Sequence, residues 1–276
     1  MEYIDVLGRR IAYETEGQGP CLLLVHGLGS SYEEWGRSFG ELSKYFTVFA
    51  VDLPGHGRSG PLQAEETSFS FGVVFLRELC DELGLDRPIV AGFSFGGLLA
   101  LRYTLSYPER VEKLILVSSA GLGRHISWFI RCATLPGLGE LLTVPSRLKI
   151  RMLARDHSAL SKDEIAALYE ARRLPGDQDV FLRMLRYGVS FWGGQKETVQ
   201  VSDGSLKSLE VPTLIIWGEQ DSRFPLADGA RAASVLPNGE FHAFFGAGHW
   251  PQAEHPEEFA RVVRDFCFNG RVCPRS

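Results

Sequence analysis

Hydrophobic and polar residues alternate along this chain between short apolar runs and longer amphipathic stretches. The apolar runs, rich in Val, Ile, Leu and Phe, predict strands at residues 21–25, 47–51, 88–92, 113–117, 213–217 and 240–245. Amphipathic stretches between and after these runs predict helices at residues 31–45, 68–83, 95–107, 226–235 and 256–268. Because parallel strands need crossover connections, this alternation predicts an α/β fold whose parallel sheet carries helices on both faces.

The first residues add a hairpin to this pattern. Short apolar runs at 4–6 and 11–13 flank Gly8-Arg9, a typical turn composition. With these two strands, we predict a mostly parallel, eight-stranded sheet.

One long segment interrupts the alternation. Residues 121–206 contain no strand-like run, and they carry amphipathic helical stretches such as 163–169. Pro136-Gly137, Pro145 and Pro175-Gly176 divide the segment, which is too long for a simple loop. We therefore predict a helical cap at 121–206, inserted into a core of residues 1–120 and 207–276.

The clearest chemical motif follows the strand predicted at 88–92. Gly92-Phe93-Ser94-Phe95-Gly96 matches G-x-S-x-G and directly precedes a predicted helix, which is the context of a nucleophile elbow. Such a turn is too tight for side chains around the serine, and Gly92, Gly96 and Gly97 have none. A glycine-rich turn with an incidental serine is the alternative, but the strand and helix around it favour Ser94 as a nucleophile.

A serine hydroxyl needs a base, and seven histidines are present. His249 lies just past the last predicted strand, where parallel sheets place their sites. The other six are expected in structural or surface roles: His26 and His56 in glycine-rich turns, His125 and His157 in the cap, His242 in a strand and His255 at the last helix.

The base needs a carboxylate to orient it. We predict Asp221, after the strand at 213–217, with Glu219 as the alternative. Asp52 also follows a strand, but it precedes Ser94 and lies in a sequence typical of a structural turn. The resulting chain order is Ser, Asp, His.

Acyl transfer also needs two hydrogen-bond donors for the developing oxyanion. We predict the backbone N–H of Phe95 and that of Leu28, in the loop after the strand at 21–25. A plain glycine turn is the alternative for that loop. We expect Gly27, Gly29, Phe93 and Trp250 to contact the substrate.

Composition narrows the class of protein. The 276 residues are 45% hydrophobic and 23% charged, with a net charge of −5, which gives no electrostatic reason to expect a nucleic-acid partner. The N-terminal residues show no secretory signal, and no apolar run is long enough to span a membrane. The five cysteines, Cys21, Cys80, Cys132, Cys267 and Cys273, form no CxxC pair and have no zinc-like spacing with His. We therefore expect unpaired thiols and a cytoplasmic location. We expect neither a metal nor a cofactor.

These motifs, in this order, resemble the α/β-hydrolase superfamily over nearly the whole chain. The resemblance rests on His26-Gly27-Leu28-Gly29, the run 52–59, the elbow at 92–97 and Gly248-His249. It implies the fold and the serine, aspartate and histidine roles given above.

The substrate is less closely specified by the resemblance. The stretches 221–225 and 248–255 look like those of meta-cleavage-product hydrolases, which cleave a carbon–carbon bond in a dienoate. That subfamily usually has Asn where this chain has Phe93, and it holds the substrate carboxylate with a cap arginine. Arg172 or Arg173 is the candidate for that arginine, although Tyr169 is an alternative at the equivalent position. Alternatively, both arginines lie on a solvent-exposed helix face and do not bind the substrate. The phenylalanines flanking Ser94 are also similar to those of small esterases, enol-lactonases and cofactor-free haloperoxidases.

The sequence thus favours an esterase acting on small, largely apolar acyl groups, with a small-molecule ester as partner. A C–C hydrolase is the alternative, and a non-enzymatic small-molecule receptor is a more distant alternative. A homodimer is a possible oligomeric state for each of these three functions. Five cap aromatics are candidates either for lining the pocket or for packing the cap on the core: Trp128, Phe129, Phe181, Phe191 and Trp192.

Overall fold

The apolar runs form the strands of one large sheet. The computed structural model describes residues 1–144, 162–171, 177–194 and 200–268. The strands are β1 (Glu2–Val6), β2 (Arg9–Glu16), β3 (Cys21–Val25), β4 (Thr47–Val51), β5 (Ile89–Phe93), β6 (Lys113–Val117), β7 (Val189–Ser190), β8 (Gly193–Gly194), β9 (Thr213–Gly218) and β10 (Gly239–Phe244). All but β7 and β8 belong to the large sheet, so the predicted eight-stranded sheet is confirmed.

The sheet has the strand order β1-β2-β4-β3-β5-β6-β9-β10. Strands β4, β3, β5, β6, β9 and β10 are parallel to one another, and β2 is antiparallel to both β1 and β4. The predicted hairpin is confirmed: Leu7 and Gly8 both have positive φ (52° and 73°), as a tight hairpin turn requires. Because the six strands are parallel, their carboxyl ends lie along the same side of the sheet, where the candidate residues are found.

Helices cover the large sheet and also occur in the described parts of the segment between β6 and β9. They are α1 (Gly36–Ser43), α2 (Phe69–Glu82), α3 (Phe95–Ser106), α4 (Trp128–Ala133), α5 (Leu138–Thr143), α6 (Lys162–Ala171), α7 (Asp177–Gly188), α8 (Asp203–Lys207), α9 (Leu226–Val235), α10 (Pro251–Glu254) and α11 (Pro256–Phe268). Single 3₁₀ turns occur at Tyr32–Trp35, Ala64–Glu66 and Pro108–Arg110.

The two faces of the sheet belong to two apolar cores. In β3, Leu23 and Val25 pack into the core shared with α2, α3 and α9. Leu22 and Leu24 pack into the core shared with α1 and α11. An unbroken apolar run is the expected pattern for a strand buried on both faces, which is why the bounds of β3 were predicted to the residue.

The helix predicted at 31–45 is divided in the structure. A 3₁₀ turn, Tyr32–Trp35, precedes α1, and Gly36, the first residue of α1, has a positive φ of 45°. Asp52 accepts the backbone N–H of Tyr32 through Oδ1 at 2.7 Å, which anchors the turn to the end of β4. A single amphipathic stretch therefore contains two helical elements, because a distant side chain holds the first.

Described parts of the segment between β6 and β9 lie over the carboxyl ends of the strands. A methyl group at Gly29 would lie 2.5 Å from the ring of Phe181, and one at Gly55 would lie 3.0 Å from Val180. Helix α7 therefore rests on the loops that follow β3 and β4. The segment is not wholly helical, since β7 and β8 form a short antiparallel pair. At its end, Leu206 of α8 joins the core of the sheet.

The sequence also predicts that no helix spans a membrane and that the cysteines are unpaired thiols. Among the described residues, no helix is both long and apolar enough to cross a membrane. Cys21, Cys80, Cys132 and Cys267 are free thiols, and Cys273 lies outside the described residues. His157, Arg172, Arg173, Pro145 and Pro175 also lie outside them.

Candidate active site

Ser94 occupies a strained turn between β5 and α3. Its φ is +52° and its ψ −114°, a backbone conformation that non-glycine residues rarely adopt. The N–H of Ser94 donates to the carbonyl of Val117 at 2.9 Å, and its own carbonyl accepts the N–H of Ala120 at 3.0 Å. The turn is thus fastened to the end of β6, and strain of this kind persists where the surroundings fix it.

The glycines around Ser94 are required by close backbone contacts. A methyl group at Gly92 would lie 2.3 Å from the carbonyl oxygen of Gly96. At Gly96 it would lie 2.3 Å from the carbonyl oxygen of Val25, and at Gly97 2.5 Å from Oγ of Ser119. These distances are below any real carbon contact, so the turn closes only because three positions lack side chains.

His249 connects Ser94 to Asp221. Nε2 of His249 lies 3.2 Å from Oγ of Ser94, and Nδ1 lies 2.8 Å from Oδ2 of Asp221. The side chain of His249 is 2% exposed and that of Asp221 is fully buried. The three residues come from the loops after β5, β9 and β10, so the common strand edge brings them together.

The surroundings of Asp221 favour its ionised form. Its Oδ1 accepts the backbone N–H groups of Arg223 (2.8 Å) and Phe224 (3.1 Å). Burial acts to raise the pKa of Asp221, but the charge and hydrogen bond of His249 and the two N–H groups outweigh it, and the pKa lies below its usual value. A carboxylate held in this way can orient the imidazole and stabilise its protonated form.

The alternatives to this arrangement have other partners. Asp52 accepts the N–H groups of Tyr32 (2.7 Å) and Arg58 (2.8 Å), so it holds a turn, as its sequence context indicated. Burial raises the pKa of Asp52, although these N–H groups act against it. Glu219 accepts the N–H of Gly246 at 3.2 Å, whereas the carboxylate facing His249 belongs to Asp221.

A cavity of about 380 Å³ opens beside Ser94. Gly27, Leu28 and Gly29 line one side of it, and Phe95 lies next to Ser94 as the first residue of α3. The N–H of a first helical residue has no acceptor within its own helix, which leaves it available to an oxyanion. Cap residues supply most of the remaining wall, among them Ile126, Phe129, Ile130, Phe181, Met184, Leu185 and Val189.

The predicted substrate contacts separate into two groups. Gly27, Gly29 and Phe93 line the cavity. Trp250 is not among the described lining residues. Its side chain is 1% exposed, and its ring centroid is 6.5 Å from that of Phe93. The structure therefore places Trp250 within the core beside Phe93, rather than on the cavity surface.

The cap aromatics also separate. Phe129 and Phe181 line the cavity. Trp128 and Trp192 are 66% and 88% exposed, and each contacts Phe191 edge-on with a centroid distance of 5.3 Å, so they neither line the cavity nor pack on the core. Tyr169 lies on α6 and is partly buried.

Sequence reasoning missed two buried glutamates beside the site. Glu34 (4% exposed) accepts the N–H of Gly27 at 2.7 Å and the indole N–H of Trp250 at 3.0 Å. Glu254 (8% exposed) accepts the backbone N–H groups of Gly248 and Trp250, on either side of His249. The donors lie far away along the chain or in the backbone, so the sequence carries no signal for them.

No group of three or more His, Cys, Asp or Glu side chains suited to a metal ion occurs in the part of the chain that the structure describes. At Ser94, a hydroxyl, an imidazole and a carboxylate are in hydrogen-bond contact beside a largely apolar cavity.

Comparison with known proteins places this geometry in context. The model of the "Alpha/beta hydrolase family" matches residues 22–262. The 2-hydroxy-6-oxo-2,4-heptadienoate hydrolase of Pseudomonas putida is 31% identical over 255 residues, covering 91% of this chain and 90% of that protein. A 2-hydroxymuconate semialdehyde hydrolase, also of Pseudomonas putida, is 31% identical over 268 residues, covering 94% and 91%.

Solved structures show the same likeness. The meta-cleavage product hydrolase of Pseudomonas fluorescens IP01, complexed with acetates, superposes with a TM-score of 0.83 at 26% identity, covering 98% of each chain. A thermophilic esterase from Thermogutta terrifontis has a TM-score of 0.79 at 22% identity, covering 99% of this chain and 100% of that one, which is a likeness of fold.

Proposed function

Because the chain belongs to the alpha/beta hydrolase family, we propose that it is a serine hydrolase that cleaves carboxylic esters of small, largely apolar acyl groups. The observation that carries this proposal is the hydrogen-bonded series Ser94, His249, Asp221 at the wall of a cavity lined mainly by apolar side chains. The proposal includes the division into a core of residues 1–120 and 207–276 and a cap of residues 121–206.

The proposed reaction proceeds through an acyl-enzyme. Oγ of Ser94 attacks the ester carbonyl carbon while its proton moves to Nε2 of His249, and Asp221 stabilises the resulting imidazolium. The carbonyl oxygen becomes an oxyanion, which the N–H groups of Leu28 and Phe95 stabilise. His249 returns the proton to the leaving alcohol, and water then releases the acid by the same steps in reverse order.

The cavity supports a modest, apolar substrate. Its volume of about 380 Å³ falls in the range of small-molecule sites, and among the described lining residues only Glu34 and Arg223 carry charge. Aromatic and branched aliphatic side chains in such a wall favour acyl groups without charge, because burying an unpaired charge is costly.

C–C bond hydrolysis is the second candidate. Two relatives with 31% identity are named as hydrolases of a 2-hydroxy-6-oxo-dienoate and of a 2-hydroxymuconate semialdehyde. Arg223 lines the cavity, with its guanidinium carbon 5.3 Å from the ring centroid of Trp250, and it is the candidate to bind a substrate carboxylate in this reaction. In that reaction the same serine attacks a ketone, and water supplies OH to the acyl product and H to the dienoate fragment.

A paired assay separates these candidates. Short p-nitrophenyl esters and a 2-hydroxy-6-oxo-dienoate are given to the wild type, to Ser94→Ala and to Ser106→Ala, an exposed serine at the other end of α3. We expect Ser94-dependent ester turnover with kcat/KM at least about 10-fold above that for the dienoate, and Ser106→Ala equal to the wild type. The reverse ranking supports the C–C hydrolase. Full activity in Ser94→Ala contradicts the serine mechanism, and binding without any turnover supports the receptor.

A further inference from the structure

Glu34 is a buried carboxylate that joins two loops of the site. It lies in the turn Tyr32–Trp35 and lines the cavity, yet its side chain is 4% exposed. Burying a carboxylate is costly unless hydrogen bonds compensate it. Here Oε2 accepts the N–H of Gly27 at 2.7 Å and Oε1 accepts the indole N–H of Trp250 at 3.0 Å. Each oxygen therefore holds a different loop.

The Gly27 end of this link belongs to the loop after β3. Gly27 directly precedes Leu28, the proposed oxyanion donor. A methyl group at Gly27 would lie 3.1 Å from both Oε2 of Glu34 and the ring of Phe93, so the loop packs tightly against the carboxylate and the elbow. The position of the Leu28 N–H is therefore set one residue away from the Glu34 hydrogen bond.

The Trp250 end belongs to the loop after β10. Trp250 directly follows His249, and Glu254 accepts the N–H groups of Trp250 (3.1 Å) and Gly248 (2.9 Å). The backbone on both sides of His249 is thereby held by Glu254, while burial and the hydrogen bond to Glu34 hold the indole. The buried indole then transmits the position of that loop to Glu34.

We propose that Glu34 is a positioning residue, which holds the loop of Leu28 and the loop of His249 in a fixed relation through the side chain of Trp250. The assignment of chemical roles to these loops rests on the proposed function. In such a site, the transition state is sensitive to displacements of less than 1 Å between donor and base. The link acts on the chemical step, so its loss lowers kcat more than it changes KM.

The link itself is tested without any substrate. Trp250→Phe removes the donor to Glu34 together with the pyrrole part of the buried indole, whereas Glu34→Gln keeps the indole and replaces one acceptor oxygen by an NH₂ group. We expect each variant to raise amide hydrogen exchange in the peptide containing residues 26–29 by about threefold or more, measured by mass spectrometry. Glu33→Gln is the matched control, since Glu33 pairs with Arg58 and is expected to leave this peptide unchanged.

Exchange of residues 26–29 at the wild-type rate in Trp250→Phe would overturn the coupling. This outcome is independent of catalysis. Failure of the proposed function is recognised separately, as absence of Ser94-dependent turnover in the wild type on both substrate classes.

The kinetic consequence is tested on the better substrate from the paired assay. We expect kcat per active site, titrated with a fluorophosphonate, to fall about 10- to 100-fold in Glu34→Gln and in Trp250→Phe, with KM within about threefold. Because both variants break the same link, the double variant should lose little more than the worse single one. Additive losses, or losses confined to KM, contradict the positioning role.

Discussion

The imidazole rings of His26 and His56, in the loops that follow β3 and β4, lie 5.3 Å apart. Nε2 of His26 accepts the N–H of Leu53 at 3.0 Å, so that nitrogen carries no proton, and Nδ1 faces the carbonyl of Gly27 at 2.7 Å. His56 is buried, and its Nδ1 lies 3.0 Å from the carbonyl of Pro54. Two buried imidazoles thus lie side by side next to the proposed oxyanion loop.

This pair makes the fold sensitive to acid. Burial, together with the neighbouring His26, lowers the pKa of His56 to about 3, although the Pro54 carbonyl acts against it. An unfolded histidine titrates near 6.5, so between about pH 6.5 and 3 only the unfolded state binds the proton. The contribution of neutral His56 to the free energy of unfolding is therefore fully present above about pH 6.5 and is lost as the pH falls toward 3. From about pH 7.5 to about pH 5, His56 should account for a loss of about 2 kcal/mol in the free energy of unfolding.

The measurement is urea unfolding at the two pH values. His56→Asn keeps a donor for Pro54 but does not titrate, so we expect its stability to fall about 2 kcal/mol less than that of the wild type over this range. Exposed His125→Asn serves as the control and should behave like the wild type. An equal acid loss in His56→Asn and the wild type would disprove this origin of the sensitivity.

The positive φ of Ser94 predicts an unusual order of stability among variants. Alanine retains the strain at this position, whereas glycine adopts φ near +52° without it. We therefore expect Ser94→Gly to be more stable than Ser94→Ala by about 1 kcal/mol in urea unfolding. At Ser106, in the last turn of α3, the order should be reversed, because glycine weakens a helix. The same order at both positions would argue against strain at Ser94.

The carboxylates after β9 differ in their contribution to the reaction. Asp221 contacts His249 at 2.8 Å, whereas Glu219 holds the N–H of Gly246. Asp221→Asn should lower kcat by about 10³- to 10⁴-fold, since the amide no longer stabilises the imidazolium. Glu219→Gln should stay within about threefold of the wild type, and a larger loss there would reassign the acid to Glu219.

The requirement for glycine at the elbow is tested by comparing alanine substitutions at a crowded glycine, Gly96, and at an uncrowded one, Gly40. Gly96→Ala would place a methyl group 2.3 Å from the carbonyl of Val25, so we expect a loss of at least about 3 kcal/mol, or no soluble protein. Gly40 lies exposed in α1, and a methyl group there would meet no atom within 4 Å, so Gly40→Ala should raise stability by about 0.5–1 kcal/mol. Thermal unfolding of both variants checks this contrast.

The sequence predicted the central strands closely because they are buried on both faces. The run of β3 is wholly apolar and that of β6 has a polar residue only at its first position, Lys113, and for both strands the predicted and observed bounds agree. The placement of Ser94, Asp221 and His249 in one cluster also follows from the sequence, since each comes after a predicted strand and parallel strands end at the same edge.

The buried polar contacts were beyond the reach of sequence patterns. Glu33-Glu34 has the composition of a solvated turn, yet Glu34 turns inward to a donor 216 positions away. Trp250 was predicted to face the substrate, because an aromatic residue beside a catalytic histidine is as suited to a pocket wall as to a hydrogen bond. Which of the two occurs depends on tertiary contacts that no local pattern records.

The sheet order also determines when Ser94, Asp221 and His249 can come together during synthesis of the chain. Ser94 and His249 are 155 positions apart, and β9 and β10, which carry the loops of Asp221 and His249, form one edge of the sheet. A nascent chain that has emerged only as far as β6 contains Ser94 but neither Asp221 nor His249. Under the proposed function, products truncated before His249 should therefore be inactive, so that turnover reports only molecules in which the late strands have joined the sheet.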